Sequence, residues 1–124
     1  MIIVSIETSC DETAVSLIQV NWDFPHATYE VLGDALWSQI DIHAEYGGVF
    51  PTLAKREHAA TIVPMFKQAV DESGLDQEQV TLTDTIKDKV RTLLEREPGL
   101  AEKLISFVSD TGIPEIDLIA VTNG

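Results

Sequence analysis

The sequence predicts an α/β domain, and three observations carry that expectation. Its first third holds short apolar runs rich in β-branched residues, separated by polar turns, which is the pattern of antiparallel strands. From Pro51 to Ser73 apolar residues recur at helical spacing, with Gly74 placed to end the helix. Near the end of the chain, Ile116-Asp117-Leu118-Ile119-Ala120-Val121 reads as a further strand, buried on both faces. With 124 residues and 44% hydrophobic content, the chain is long enough for one domain around one core.

In chain order, Ile2-Ile3-Val4-Ser5-Ile6 is the first strand and Thr13-Ala14-Val15-Ser16-Leu17-Ile18 the second, joined by a polar turn. Asn21 to Thr28, with Asn, Asp, Pro and His, reads as a turn. Trp22 and Phe24 are expected to cover the sheet edge, and His26 to be a solvated loop residue. Tyr29 to Ser38 is the third strand, with Gly33 at a bulge or at a close approach of another backbone. Asp41, His43 and Glu45 resemble metal ligands only superficially: no Cys or second His lies near, so a hydrogen-bonded loop histidine is the expectation.

The helix from Pro51 to Ser73 starts on a proline, whose fixed φ suits a first turn. Ala59, Ile62, Phe66, Ala69 and Val70 mark its core stripe, leaving Val63 and Met65 for a second face, and Pro64 is expected to kink it. Between about 81 and 114 a helical hairpin is expected. Thr83 caps its first helix, faced by Ile86, Val90, Leu93 and Leu94. Glu97-Pro98-Gly99 breaks it, and Leu100, Leu104, Phe107 and Val108 mark the second. This segment reads as an insertion at a loop, packed on the domain edge.

Charge narrows the function. The formal net charge is −13, and no Lys or Arg precedes Lys55. Nucleic-acid affinity comes mainly from Lys and Arg, so this surface is not built to grip phosphates. One cysteine allows no internal disulfide, which fits a reducing compartment. No apolar stretch approaches the roughly 20 residues that span a bilayer.

The first turn concentrates the chemistry. Thr8 and Ser9 bring hydroxyls, Cys10 a thiol, and Asp11 and Glu12 carboxylates. Backbone N–H groups in such a turn can converge on an anion, while the carboxylates suit a metal or a water beside one. The plainer alternative is a solvated hairpin turn with Ser and Asp present for local hydrogen bonds. Arg56, Glu57 and His58 are likewise open to two readings, a solvated first helical turn or one in which Arg56 and Glu57 anchor the neighbouring loop.

Four stretches resemble one family. Ile6-Glu7-Thr8-Ser9-Cys10-Asp11-Glu12-Thr13 is similar to the N-terminal signature of the TsaD family, called Gcp in older usage. Ser38-Gln39, His43 and Tyr46-Gly47-Gly48-Val49 with Pro51 match its second motif. Leu53-Ala54-Lys55-Arg56-Glu57-His58 matches a third, with Lys55 where the family usually has Ser, and Ile116 to Gly124 a fourth.

The resemblance implies an actin-like, ribonuclease-H-like N-terminal lobe of the sugar kinase, heat-shock chaperone and actin superfamily, incomplete over 1–124 and carrying the insertion. The family's fourth motif continues beyond its glycine, so the sequence is expected to be truncated. The implied activity is an acyltransferase, a tRNA threonylcarbamoyladenosine synthase in the cytoplasm. It passes threonylcarbamoyl from threonylcarbamoyl-AMP to the adenosine 3′ of the anticodon. Asp11 is the implied catalytic group with Glu12 in support; Thr8, Ser9, Arg56 and Glu57 are implied to bind the nucleotide-type substrate. The family's divalent metal, iron or zinc, has its ligands outside this sequence. Partners implied are tRNA, held by the complete complex, and a related TsaB-like subunit along the helix 51–73. The alternatives are a non-catalytic TsaB-like scaffold paralogue and an actin-like kinase fragment. The kinase is disfavoured because no glycine-rich phosphate turn follows the first strand.

Overall fold

The computed structural model of the chain describes residues 1–123. Its elements are β1 (Ile2–Glu7), β2 (Glu12–Asp23), β3 (His26–Ser38), α1 (Ile40–Ala44), α2 (Pro51–Ser73), α3 (Asp84–Leu93), α4 (Pro98–Asp110) and β4 (Leu118–Val121). They form two units, one of residues 1–75 with 116–124 and one of residues 76–115.

The first unit is a four-stranded sheet in the order β3-β2-β1-β4. β1, β2 and β3 are antiparallel neighbours, whereas β4 runs parallel to β1, with Ile6 opposite Val121. A three-stranded meander with a parallel strand added beside its first member is the opening sheet of the actin-like, ribonuclease-H-like fold. Thr13, Val15 and Leu17 alternate into the core, the period-2 signature of a strand with one buried face. α2 packs on β2 and β3, and Ala69 and Val70 are fully buried. Each large apolar side chain buried this way contributes about 1.5–3 kcal/mol.

Gly33 satisfies both expectations for it. The β2–β3 register slips between Leu17/Gly33 and Ile18/Val31, leaving Leu32 as the extra residue of a bulge. A Cβ on Gly33 would also stand 2.0 Å from the Ala69 carbonyl oxygen, so only glycine lets α2 approach the sheet here.

Several expectations are corrected. β2 and β3 run on to Asp23 and His26, so the supposed turn at 21–28 is mostly strand with Phe24-Pro25 at its tip. The β1 ladder reaches β2 only as far as Gln19, with two further bonds, from Val20 N–H to the Met1 carbonyl and from the N-terminal amine to the Val20 carbonyl. Beyond it the hairpin has no third strand, which is why Trp22 and Phe24 are 68% and 82% exposed rather than covering an edge. The 38–51 segment contains a short helix, α1, and its His43 is buried. On α2 the buried apolar residues include Val63 and Met65, whereas Ala59, Ile62 and Phe66 are only half-buried. Apolar residues occur around much of the helix, so spacing alone did not choose its inner face. α2 runs through Pro64, which is exposed, and ends on Gly74 in the left-handed region. β4 is not buried: Ile119 and Val121 are 63% and 65% exposed. It is an edge strand paired to β1 alone.

In the second unit, the Thr83 hydroxyl caps α3 by accepting the Ile86 N–H at 3.3 Å. Pro98 opens α4. Arg91 of α3 meets Glu102 of α4 at 2.7 Å, and each group strengthens the charged form of the other, chiefly through that hydrogen bond. Glu78 and Ile113 exchange backbone hydrogen bonds at the base of the unit.

Candidate functional site

The site grows from the end of β1. Glu7 is the last residue of that strand, and its carboxylate accepts the Ser9 N–H at 2.7 Å and the Ser9 hydroxyl. These bonds, the Ser9 hydroxyl foremost, hold the Glu7 carboxyl below its ordinary range, with help from the Thr122 hydroxyl and from nearby His58. The bend that follows places Cys10 at φ 54°, a conformation few side-chain-bearing residues adopt. Glu12 N–H closes the turn on the Ser9 carbonyl at 3.4 Å.

The turn is tied to the end of β4 and to the segment after β3. The Thr8 N–H donates to Thr122 Oγ1 at 3.4 Å, and the Thr122 N–H to the Ile6 carbonyl at 3.1 Å. On the other side the Gln39 N–H donates to the Asp11 carbonyl at 2.7 Å. Parallel pairing of β1 with β4 brings these two strand ends together, since their C-termini must lie at the same edge of the sheet. Asp11 is half-buried, and its carboxylate makes no hydrogen bond among the described residues. The glycine that closes the expected Thr122-Asn123-Gly124 turn lies outside those residues.

A cleft of about 510 Å³ opens beside the turn, lined by Thr8, Cys10, Val49, Pro51, Ala54, Lys55 and His58. Of the residues singled out from the sequence, Thr8 lines it. Ser9 is exposed in the turn, and Asp11 and Glu12 are half-buried at its far end. Arg56 is exposed and, among the described residues, pairs with its neighbour Glu57 at 3.7 Å, a contact worth little at a surface. Sequence reasoning quoted Glu7, Lys55 and His58 within matching motifs but gave none of them a role in the site. The three-residue spacing of Lys55 and His58, which puts both on one face of α2, was the available signal. Among the described residues no group of three or more His, Cys, Asp or Glu could hold a metal, so the donors present do not fit a metal centre.

Residues 30–83, which include most of β3 and all of α1 and α2, match the family model described as TsaD: tRNA N6-adenosine threonylcarbamoyltransferase. The chain is also 37% identical over 105 residues to a tRNA N6-adenosine threonylcarbamoyltransferase of Nitrosospira multiformis, an alignment covering 85% of this chain and 26% of that relative. Over these stretches the chain is similar to the TsaD family. It spans about a quarter of the length of the curated relative it matches. Both matches are to the transferase, so the scaffold and kinase alternatives are not favoured. No helix among the described residues is long and apolar enough to cross a membrane.

Proposed function

We propose that this chain supplies the N-terminal wall of a tRNA threonylcarbamoyladenosine synthase, with the Thr8–Asp11 turn facing the substrate. The observation that carries the reading is the Thr8–Thr122 hydrogen bond, which joins the TsaD-like turn to the end of β4 beside an open cleft. In the proposed reaction the exocyclic amine of adenosine attacks the carbonyl of threonylcarbamoyl-AMP. A carbon–nitrogen bond forms, the bond from that carbonyl carbon to the AMP phosphate oxygen breaks, and AMP departs. The amine must lose a proton, and Asp11, whose carboxylate has no competing hydrogen bond among the described residues, accepts it. Glu12 supports Asp11 at the mouth of β2. Thr8 and Ser9 present backbone and hydroxyl groups to the phosphate side of the substrate.

Arg56 and Glu57 are the remaining members of the proposed substrate contact. The family's divalent metal would be held by residues other than those described here, and no step above runs through it. The net charge of −13 leaves this chain without a phosphate-gripping surface, so tRNA is held by other parts of the complex, in the cytoplasm. A TsaB-like subunit docking along α2 would meet exposed Arg56, Ala60, Lys67 and Gln68, because Val63 and Met65 are already buried. Residues 81–114 are proposed as an insertion in the lobe.

The chain by itself is expected to be inactive, so the test is reconstitution of the transfer with tRNA, threonine, bicarbonate, ATP and the partner subunits, using a full-length protein that carries this chain as its N-terminal lobe, and its Asp11→Asn variant. Modified adenosine with the native protein, and its loss with the variant, is the expected result. No product when every other component is active would defeat the assignment.

A further inference from the structure

A relay of side-chain hydrogen bonds runs from the Tyr46–Phe50 segment to the cleft, and a main-chain group fixes its direction. The Phe50 N–H donates to His43 Nδ1 at 3.2 Å. A backbone amide can only donate, so Nδ1 carries the lone pair and the neutral ring has its proton on Nε2. His43 Nε2 therefore donates to Gln39 Oε1 at 2.9 Å. With its oxygen used in this way, Gln39 turns its amide nitrogen to His58 Nδ1 at 3.2 Å. That nitrogen is again a donor only, so His58 Nδ1 must accept.

Thr13 Oγ1 stands 2.8 Å from the same His58 nitrogen and 2.9 Å from Thr61 Oγ1, whose single proton goes to the Glu57 carbonyl at 2.7 Å. Gln39 and Thr13 are 0% exposed and His43 is 2% exposed, so water does not compete for these groups. The neutral His58 ring is thus left with its proton on Nε2. That nitrogen has no hydrogen bond among the described residues, while the ring lines the cleft with Thr8, Cys10 and Lys55.

We propose that His58 Nε2–H is a fixed hydrogen-bond donor of the cleft, held in one tautomer by the Phe50–His43–Gln39 relay, for a carbonyl, carboxylate or phosphate oxygen of the ligand. This deepens the transferase reading, on which it rests for its site, by giving the ligand a preorganised donor whose orientation is settled before binding. Gln39 and His43 act through His58 and are positioning residues.

Nitrogen-15 NMR of the ring nitrogens tests it on the full chain, which has three histidines. The expected spectrum shows His58 protonated on Nε2 at mildly alkaline pH. In Gln39→Glu the new carboxylate can only accept, so His58 should move its proton to Nδ1, with the helical circular dichroism retained. Acetate and inorganic phosphate are then titrated. Whichever of the two perturbs His58 Nε2 in the native chain identifies the oxygen as carboxyl-type or phosphoryl, and it should bind roughly tenfold more weakly in the variant. A native His58 protonated on Nδ1, an unchanged tautomer in folded Gln39→Glu, or no response to either anion overturns the proposal. If the variant fails to fold, the native tautomer and the two titrations still decide. None of these readings requires acyl transfer, so their failure leaves the Asp11 test standing, and an inactive complex leaves the tautomer result standing.

Discussion

At the residue scale, two positions show how little freedom the turn and its support have. Gly33 is required by sterics: an added methyl would meet the Ala69 carbonyl at 2.0 Å, and both partners are backbone. Gly33→Ala should therefore force β3 and α2 apart and cost about 2–4 kcal/mol, read as a lowered urea midpoint. A loss below about 0.5 kcal/mol would mean the sheet and helix are not packed as described. Glu7 is held by electrostatics and hydrogen bonds. Because its carboxyl is pushed below the usual value of 4.5 by Ser9, Thr122 and His58, folding favours the charged form. The stability this brings is present above the unfolded-state value and is lost as pH falls through the folded one. Urea melts of Glu7→Gln across that interval should show a flatter decline on the acid side than the native chain. Parallel declines would remove Glu7 from the account.

At the scale of elements, the weak point is β4. Its Leu118, Ile119, Ala120 and Val121 are apolar and exposed along an open sheet edge. Edges of that kind pair with other strands. Ile119→Thr with Val121→Thr should shift the chain towards monomer in sedimentation while keeping its far-ultraviolet spectrum. Unchanged association would place the sticky surface elsewhere, at Trp22 and Phe24 for example. The same strand marks the boundary of what the sequence reveals. An apolar run announces a strand, and it did so correctly for β1 and β4. Burial, however, depends on what else lies against the strand, which a local pattern does not encode. Likewise α2 was legible from Pro51 to Gly74, because helix ends have local chemistry, while its inner face was not, because apolar residues occur around much of the helix. The turn motif was legible as a motif. The Gln39–His43–His58 relay was not, since it joins the segment after β3 to a helix turn through contacts that appear only when α1 and α2 are folded.

At the scale of the whole molecule, an acidic α/β sheet stands beside a proposed reaction on nucleic acid. The net charge of −13 does not suit a phosphate-gripping surface, so in the proposed reaction the tRNA is held by other parts of the complex. In the sheet, parallel β1 and β4 bring the Glu7–Asp11 turn and Thr122 to one edge, beside a cleft that α2 lines with Lys55 and His58. The measurement that tests this most directly is a comparison of native and Asp11→Asn full-length proteins in the reconstituted complex, with threonylcarbamoyl-AMP binding and turnover recorded separately. A proton acceptor contributes about 10²–10⁴-fold. The account predicts a fall in kcat of that order with binding of threonylcarbamoyl-AMP little changed. An Asp11→Asn enzyme that turns over at the native rate would contradict it.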